Sequence, residues 1–172
     1  MNVVLIGYRG SGKTTVGRLL AEELDAAFID TDELIAHMAG QTIAEIFAAE
    51  GERGFRERES NAIRMATAKP NRVISVGGGA VESADNRKRL RGYGTVVWLE
   101  APASILWKRI QADPASGAQR PNLASGGLAE VEEVLARRVP LYAETAHLVV
   151  RVGDGTPRRV MSDIQEWLAA QG

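Results

Sequence analysis

Gly7-Tyr8-Arg9-Gly10-Ser11-Gly12-Lys13-Thr14 places two glycines, a lysine and a threonine at the spacing G-x-x-x-x-G-K-[ST]. That spacing suits the wrapping of backbone N–H groups around a polyphosphate. Gly10, Ser11 and Gly12 would present those groups to the anion, with Thr15 adjoining. Lys13 would reach the β- and γ-phosphates and the Thr14 hydroxyl would hold Mg²⁺. The alternative is a glycine-rich turn that matches by accident, and the flanking sequence argues against it. The apolar run 3–6 reads as a buried strand, and Val16, Leu19, Leu20 and Leu24 follow at helical spacing. Strand, loop and helix come in the order that puts an anion at a helix N-terminus. The chain is expected to bind a nucleoside triphosphate.

Phosphoryl transfer also requires a metal, an oriented acceptor and positive charge where negative charge gathers. Asp30 closes the apolar run 26–29, at a strand end where a carboxylate can hold Mg²⁺ directly or through water. Asp32 lies two residues on and could face the acceptor. Capping of the helix starting near Glu33 is the other role open to either aspartate. Gly77-Gly78-Gly79 ends another apolar run and offers either unobstructed N–H groups for a flat ligand or a tight turn. Arg56, Arg120 and Arg138 supply planar forks for carboxylate or phosphate, although any one arginine alone reads as a surface residue. Arg87-Lys88-Arg89-Arg91 reads as a solvated helix face.

The elements that must position these residues follow from the apolar pattern. Runs 3–6, 26–29, 73–76, 95–99 and 148–152 are mostly continuous, as expected of parallel strands covered on both faces. Helical patterns lie between them. Thr42 with Glu45 is a capping-box signature, Gly40 ends the helix before it, and Thr156-Pro157 opens the last, with its stripe Val160, Ile164, Trp167 and Leu168. The predicted fold is α/β: a three-layer α/β/α domain with a five-stranded parallel sheet, spanning 1–172. Residues 31–67 hold more helix than one crossover needs and read as a substrate-binding insertion. Residues 112–127, rich in Gly, Ala, Ser and Pro, read as a mobile lid or a plain surface loop.

Composition narrows the partners. With 172 residues, one well-buried domain is expected. A net charge of −1 and a pI near 6.2 argue against nucleic acid as a partner. No apolar stretch suits a bilayer span, and the first residues enter a strand with no signal-like segment. The absence of cysteine excludes disulfides and thiolate metal sites, and two histidines are too few for a histidine metal cluster. A cytoplasmic monomer acting on a small molecule is expected.

Several linked segments then carry a resemblance: GYRGSGKTTVGRLLA, FIDTD, Ile43-Ala44-Glu45-Ile46-Phe47, Gly54-Phe55-Arg56 with Glu59, VGGGAV, Arg120-Pro121, and Arg138-Val139-Pro140-Leu141-Tyr142. Together they resemble the shikimate kinases over nearly the whole length. The resemblance implies transfer of the ATP γ-phosphoryl group to the 3-hydroxyl of shikimate, in the pathway to the aromatic amino acids. It implies that Asp32 binds the ring hydroxyls and serves as base, and that Arg56 and Arg138 grip the carboxylate with Glu59 holding Arg56. By the same resemblance Gly77, Gly78 and Gly79 meet substrate oxygens, and Phe47 and Phe55 wall the pocket. Lys13, Thr14 and Asp30 would manage triphosphate and Mg²⁺, Arg120 would arrive with the lid, and Arg109 and Pro157 would clamp adenine. The lid departs from the family pattern, with Asn122 after Arg120-Pro121 where a leucine is usual and a longer segment after Arg109. The alternatives are a gluconate-type sugar-acid kinase and a non-catalytic nucleotide switch. A guanine-selecting Asn-Lys-x-Asp motif does not occur in the sequence.

Overall fold

A computed structural model describes residues 1–113, 126–153 and 155–171. Among them are five strands: β1 (Asn2–Ile6), β2 (Ala27–Asp30), β3 (Arg72–Ser75), β4 (Thr95–Glu100) and β5 (Leu148–Arg151). Seven α-helices accompany them: α1 (Lys13–Glu23), α2 (Thr31–Ala39), α3 (Ile43–Ala66), α4 (Ala84–Tyr93), α5 (Ala103–Ala112), α6 (Gly127–Thr145) and α7 (Pro157–Ala169). All strand pairs are parallel, in the order β2-β3-β1-β4-β5. This is the predicted α/β arrangement, with strand limits within one or two residues of the apolar runs.

The continuous runs arise because both sheet faces are covered. Val3, Val4, Leu5 and Ile6 are all fully buried, alternately feeding two cores. Val3 and Leu5 join Val16, Leu20, Leu106, Ile164 and Leu168 on one face. Val4 and Ile6 join Ile63, Leu90 and Tyr142 on the other. Each such side chain contributes about 1.5–3 kcal/mol through burial, which fixes which way the strand's residues point.

Strand order decides where the site lies. Leu5 pairs with Ser75, and Ser75 pairs with Asp30, so β1, β3 and β2 end level with one another. The glycine loop after β1, the glycine triad after β3 and Asp30 at the end of β2 therefore leave the sheet side by side. The chain moves to the β2 side from β1 and later crosses to the β4 side, making β1 the switch point where ligands bind in open α/β sheets.

The insertion between β2 and β3 is α2 plus a broken α3. Thr42 accepts from the Glu45 N–H while the Glu45 carboxylate accepts from Thr42 N–H, completing the predicted capping box. Gly40 ends α2 in the left-handed region. Gly51, at φ 69° and ψ −175°, breaks α3, and the change of direction stacks Phe47 on Phe55 with centroids 4.6 Å apart. Ile35, Ile43, Ile46 and Phe55 make a small separate core there. The lid prediction and its Arg120 fall almost wholly outside the described residues.

The basic run in α4 differs from expectation. Lys88 and Arg89 are exposed, but Arg87 donates to Val81 O at 2.7 Å and lies 3.2 Å from Glu144. Arg91 donates to the carbonyls of Glu144 and Thr145. These carbonyls end α6, where unsatisfied acceptors and the helix dipole favour a cation. Half of the run is thus a tie between helices.

Candidate active site

The loop between β1 and α1 is shaped by its glycines. Gly12, the residue before α1, has φ 93°, a conformation that a Cβ disfavours. No side chain caps α1, so its first N–H groups remain for an anion. Lys13 is 8% exposed, and its ammonium donates to Gly7 O at 2.7 Å and Tyr8 O at 3.0 Å, drawn over the loop it would serve. Ser11 is buried, with no hydrogen-bond partner for its Oγ. Thr15 is exposed on the first turn of α1.

Asp30 has two roles at once. Its Oδ1 accepts from the N–H groups of Asp32 and Glu33, capping α2, and its Oδ2 accepts from the Thr14 hydroxyl at 2.7 Å. The cap thus falls to Asp30, which leaves Asp32 as the second residue of α2, with a carboxylate close enough for its charge to act on Asp30. Burial pushes the Asp30 carboxyl above its ordinary value, the Thr14 bond opposes this, and the Asp32 charge adds to it. A raised folded pKa means that ionised Asp30 works against folding. Its contribution is fully favourable only below the ordinary value of 3.8 and is lost as pH rises through the folded value. Asp30→Asn keeps a capping oxygen, so we expect it to melt at a higher temperature than the parent at pH 7. The difference should shrink as the pH is lowered towards 4, as read by thermal denaturation at several pH values.

Thr14 and Asp30 are oxygen donors of the kind that Mg²⁺ prefers. No group of three or more His, Asp or Glu suited to a metal occurs among the described residues. The donor set therefore fits a cation that draws most of its ligands from phosphate and water.

On the other side of the loop, two arginines converge. Arg138 is 3% exposed, and its Nε and Nη2 have no hydrogen-bond partner. Its guanidinium carbon lies 5.8 Å from the Tyr8 ring centre. A Cβ on Gly78 would stand 3.4 Å from Arg138 Nη1 and from Gly7 O, so the triad, the phosphate loop and Arg138 meet there. Arg56 packs so close to Gly79 that a Cβ would overlap its guanidinium, at 2.4–2.6 Å. A side chain at the third glycine would therefore push the Arg56 guanidinium out of this position. Gly77 is buried at the start of this turn.

Arg56 is held from behind. Arg56 Nη1 donates to Glu59 at 2.8 Å, and Glu59 is 1% exposed. Arg138 and Tyr142, four apart on α6, share a helix face, and the Tyr142 hydroxyl donates to Gly78 O at 2.7 Å. Arg109, in the last turn of α5, donates to Gly153 O at 2.7 Å and to Gly10 O at 3.4 Å. It lines a cleft of about 300 Å³ with Ile105, Lys108 and Gly155. Pro157 opens α7 just beyond, as its sequence position suggested, and is not among the cleft's lining residues.

With this geometry, the relatives are informative. A family model described as shikimate kinase matches residues 9–169. A shikimate kinase of Symbiobacterium thermophilum is 45% identical, covering 100% of this chain and 98% of the relative. The chain belongs to the shikimate kinase family. A shikimate kinase 2 of Dickeya chrysanthemi is 50% identical over 86% of this chain and 85% of its own. Among solved structures, the Acinetobacter baumannii shikimate kinase in complex with shikimate superposes with a TM-score of 0.92 at 36% identity, covering 99% of this chain and 93% of that one.

Within this shikimate kinase family member, one expectation needs correction. Phe55 is fully buried beneath Phe47 and Arg56, 5.6 Å from the Arg56 guanidinium carbon. It offers no surface to a ligand and acts as a buttress, and only Phe47 is partly open. The sequence reading also missed Glu82, in the 3₁₀ turn Ala80–Glu82. Glu82 Oε2 lies 3.4 Å from Arg56 Nη2 and 3.6 Å from Arg138 Nη2, while Oε1 is 3.2 Å from Arg137. Burial alone would raise its carboxyl, but Arg138, Arg56 and Arg137 together hold it below the ordinary value. Its position three residues past the glycine triad was the only signal in sequence.

Proposed function

We propose that this chain transfers the γ-phosphoryl group of ATP to the 3-hydroxyl of shikimate, giving shikimate 3-phosphate and ADP. The observation that carries the reading is Arg138. A guanidinium 3% exposed with two donors lacking hydrogen bonds, and Glu82 only at 3.6 Å, costs stability unless an anion takes those bonds, and its other neighbours are Arg56, the glycine triad and a phosphate loop. A small carboxylic acid fits that seat, and the shikimate bound by the Acinetobacter relative is such an acid.

In this reading Arg56 and Arg138 hold the acceptor carboxylate, and the N–H groups of Gly78 and Gly79 meet its oxygens. Phe47 walls the seat from α3. Asp32, beside Asp30 and Thr14 at the other end, orients the hydroxyl and takes its proton as the bond to phosphorus forms. Lys13 and the loop N–H groups hold the triphosphate, and Arg109 and Pro157 flank the base. Thr14 and Asp30 would hold Mg²⁺, which when bound neutralises charge on the β- and γ-phosphoryl oxygens. Arg120 would bring further positive charge to the transferring group. No helix among the described residues is long and apolar enough to cross a membrane. The net charge of −1 suits action on a small molecule rather than on nucleic acid, and the proposal takes the chain as a cytoplasmic monomer.

Release of ADP, followed with shikimate, quinate, gluconate and water as acceptors, tests the assignment. Shikimate should be preferred by a wide margin, and equal rates with gluconate would overturn it. Arg138→Lys tests the carboxylate seat. One ammonium cannot reproduce the fork, so the shikimate KM should rise about 10- to 100-fold, with a much smaller change in the ATP KM.

A further inference from the structure

We infer that Glu82 is a resident counter-charge in the acceptor's carboxylate seat, and that it limits how tightly acceptor and product are held. The inference rests on the proposed seat at Arg56 and Arg138. Three arginines meet there, Arg56, Arg137 and Arg138, and three carboxylates answer them, Glu52, Glu59 and Glu82. The protein thus brings the cluster to neutrality by itself. An incoming carboxylate finds a seat with the shape for it but no net charge to attract it.

Glu82 is the carboxylate placed to do this. Glu59 lies behind Arg56 at 1% exposure and holds it through a 2.8 Å bond. Glu52 touches only the outer side of Arg56, at 3.4 Å. Glu82 alone stands between Arg56 and Arg138, with one oxygen 3.4 Å from the first and 3.6 Å from the second. At those separations its single charge is shared between the two guanidiniums, while Arg138 Nε and Nη2 remain without hydrogen bonds. Charge is satisfied and directional bonding is not. A ligand carboxylate gains the two hydrogen bonds but meets the repulsion of Glu82, so shape selects the ligand while affinity stays moderate. The phosphorylated product carries the same carboxylate, so the same repulsion assists its departure. Arg137, 55% exposed, holds the other oxygen of Glu82 from the solvent side.

Calorimetric binding to the parent, Glu82→Gln and Glu82→Asp separates this from a structural role. For Glu82→Gln, the shikimate dissociation constant should fall about three- to tenfold, and inhibition by shikimate 3-phosphate should tighten to match. Glu82→Asp keeps the charge and should stay within about twofold of the parent. The methyl ester of shikimate, with no carboxylate charge, should show no gain in Glu82→Gln. If Glu82→Gln binds shikimate no better, or gains equally for the ester, the inference is overturned. Should Glu82→Gln fail to fold, Arg137→Gln at the exposed edge leaves Glu82 less opposed and should weaken shikimate binding about twofold, and unchanged or tighter binding would overturn the inference. If parent and variants bind ATP but none binds shikimate, the acceptor seat itself is refuted and this inference with it.

Discussion

Lys13→Ala is expected to lower kcat by at least about 10³-fold while the protein still folds. The ammonium sits at 8% exposure on the carbonyls of Gly7 and Tyr8, so the loop itself orients it before any chemistry occurs. In phosphoryl transfer the protein does little covalent work, and rate comes from charge placed where the leaving oxygens gather charge. A point charge already desolvated and oriented is worth far more there than one recruited from solvent. The same geometry sets the stability effect. Removing two charge-assisted bonds to buried loop carbonyls should cost about 1–3 kcal/mol. Single-turnover kinetics with a parallel thermal melt reads both effects, and a kcat within tenfold of the parent would remove Lys13 from the reaction. Lys13→Arg should recover little, because a planar fork cannot replace a compact ammonium in so closed a loop.

The loop was legible in sequence because its chemistry depends on backbone, and backbone conformation is written in local spacing. Gly12 needs its left-handed φ, α1 must start directly after it, and β1 must end directly before the loop's first glycine, Gly7. The caps were legible for the same reason: Thr42 with Glu45, Gly40, and Thr156 before Pro157 are contacts within a few residues. Burial on both faces made the strands legible as continuous apolar runs.

What stayed hidden depends on tertiary placement. Glu82 is one glutamate in a three-residue turn, and its meaning comes from arginines delivered by α3 and α6. Arg87 and Arg91 look like ordinary solvated charges until the end of α6 brings its carbonyls within reach. Phe55 follows a glycine in a charged helix, and nothing local shows that the break at Gly51 will fold it inward under Phe47. The choice of Asp30 over Asp32 as cap was likewise a matter of two residues in where α2 begins. That choice bears on the proposed function, because it frees the Asp32 side chain from capping for the acceptor role proposed for it.

Asp32→Asn is accordingly the variant that isolates the acceptor's base. Turnover should fall about 10²- to 10⁴-fold, the range for losing a positioned general base, while the ATP dissociation constant stays within about threefold. Fold is not at risk. The cap of α2 belongs to Asp30, whose Oδ1 accepts from the backbone N–H at position 32 and is unaffected by the side chain there. Loss of a negative charge in the first turn of α2 costs about 0.3–1 kcal/mol through the helix dipole. That loss is offset in part because the Asp32 charge raises the Asp30 carboxyl, and its removal eases the ionisation of Asp30. The variant should therefore bring the Asp30 pKa down while removing the base, so Mg²⁺-dependent ATP binding persists as catalysis fails. A large loss of ATP affinity in Asp32→Asn would place Asp32 with the metal and not with the acceptor. Unchanged turnover would leave the attacking hydroxyl without the base proposed for it. Asp32→Glu adds one methylene to the same charge, and should recover less than a tenth of the lost rate because proton transfer needs the carboxylate within about 3 Å of the hydroxyl.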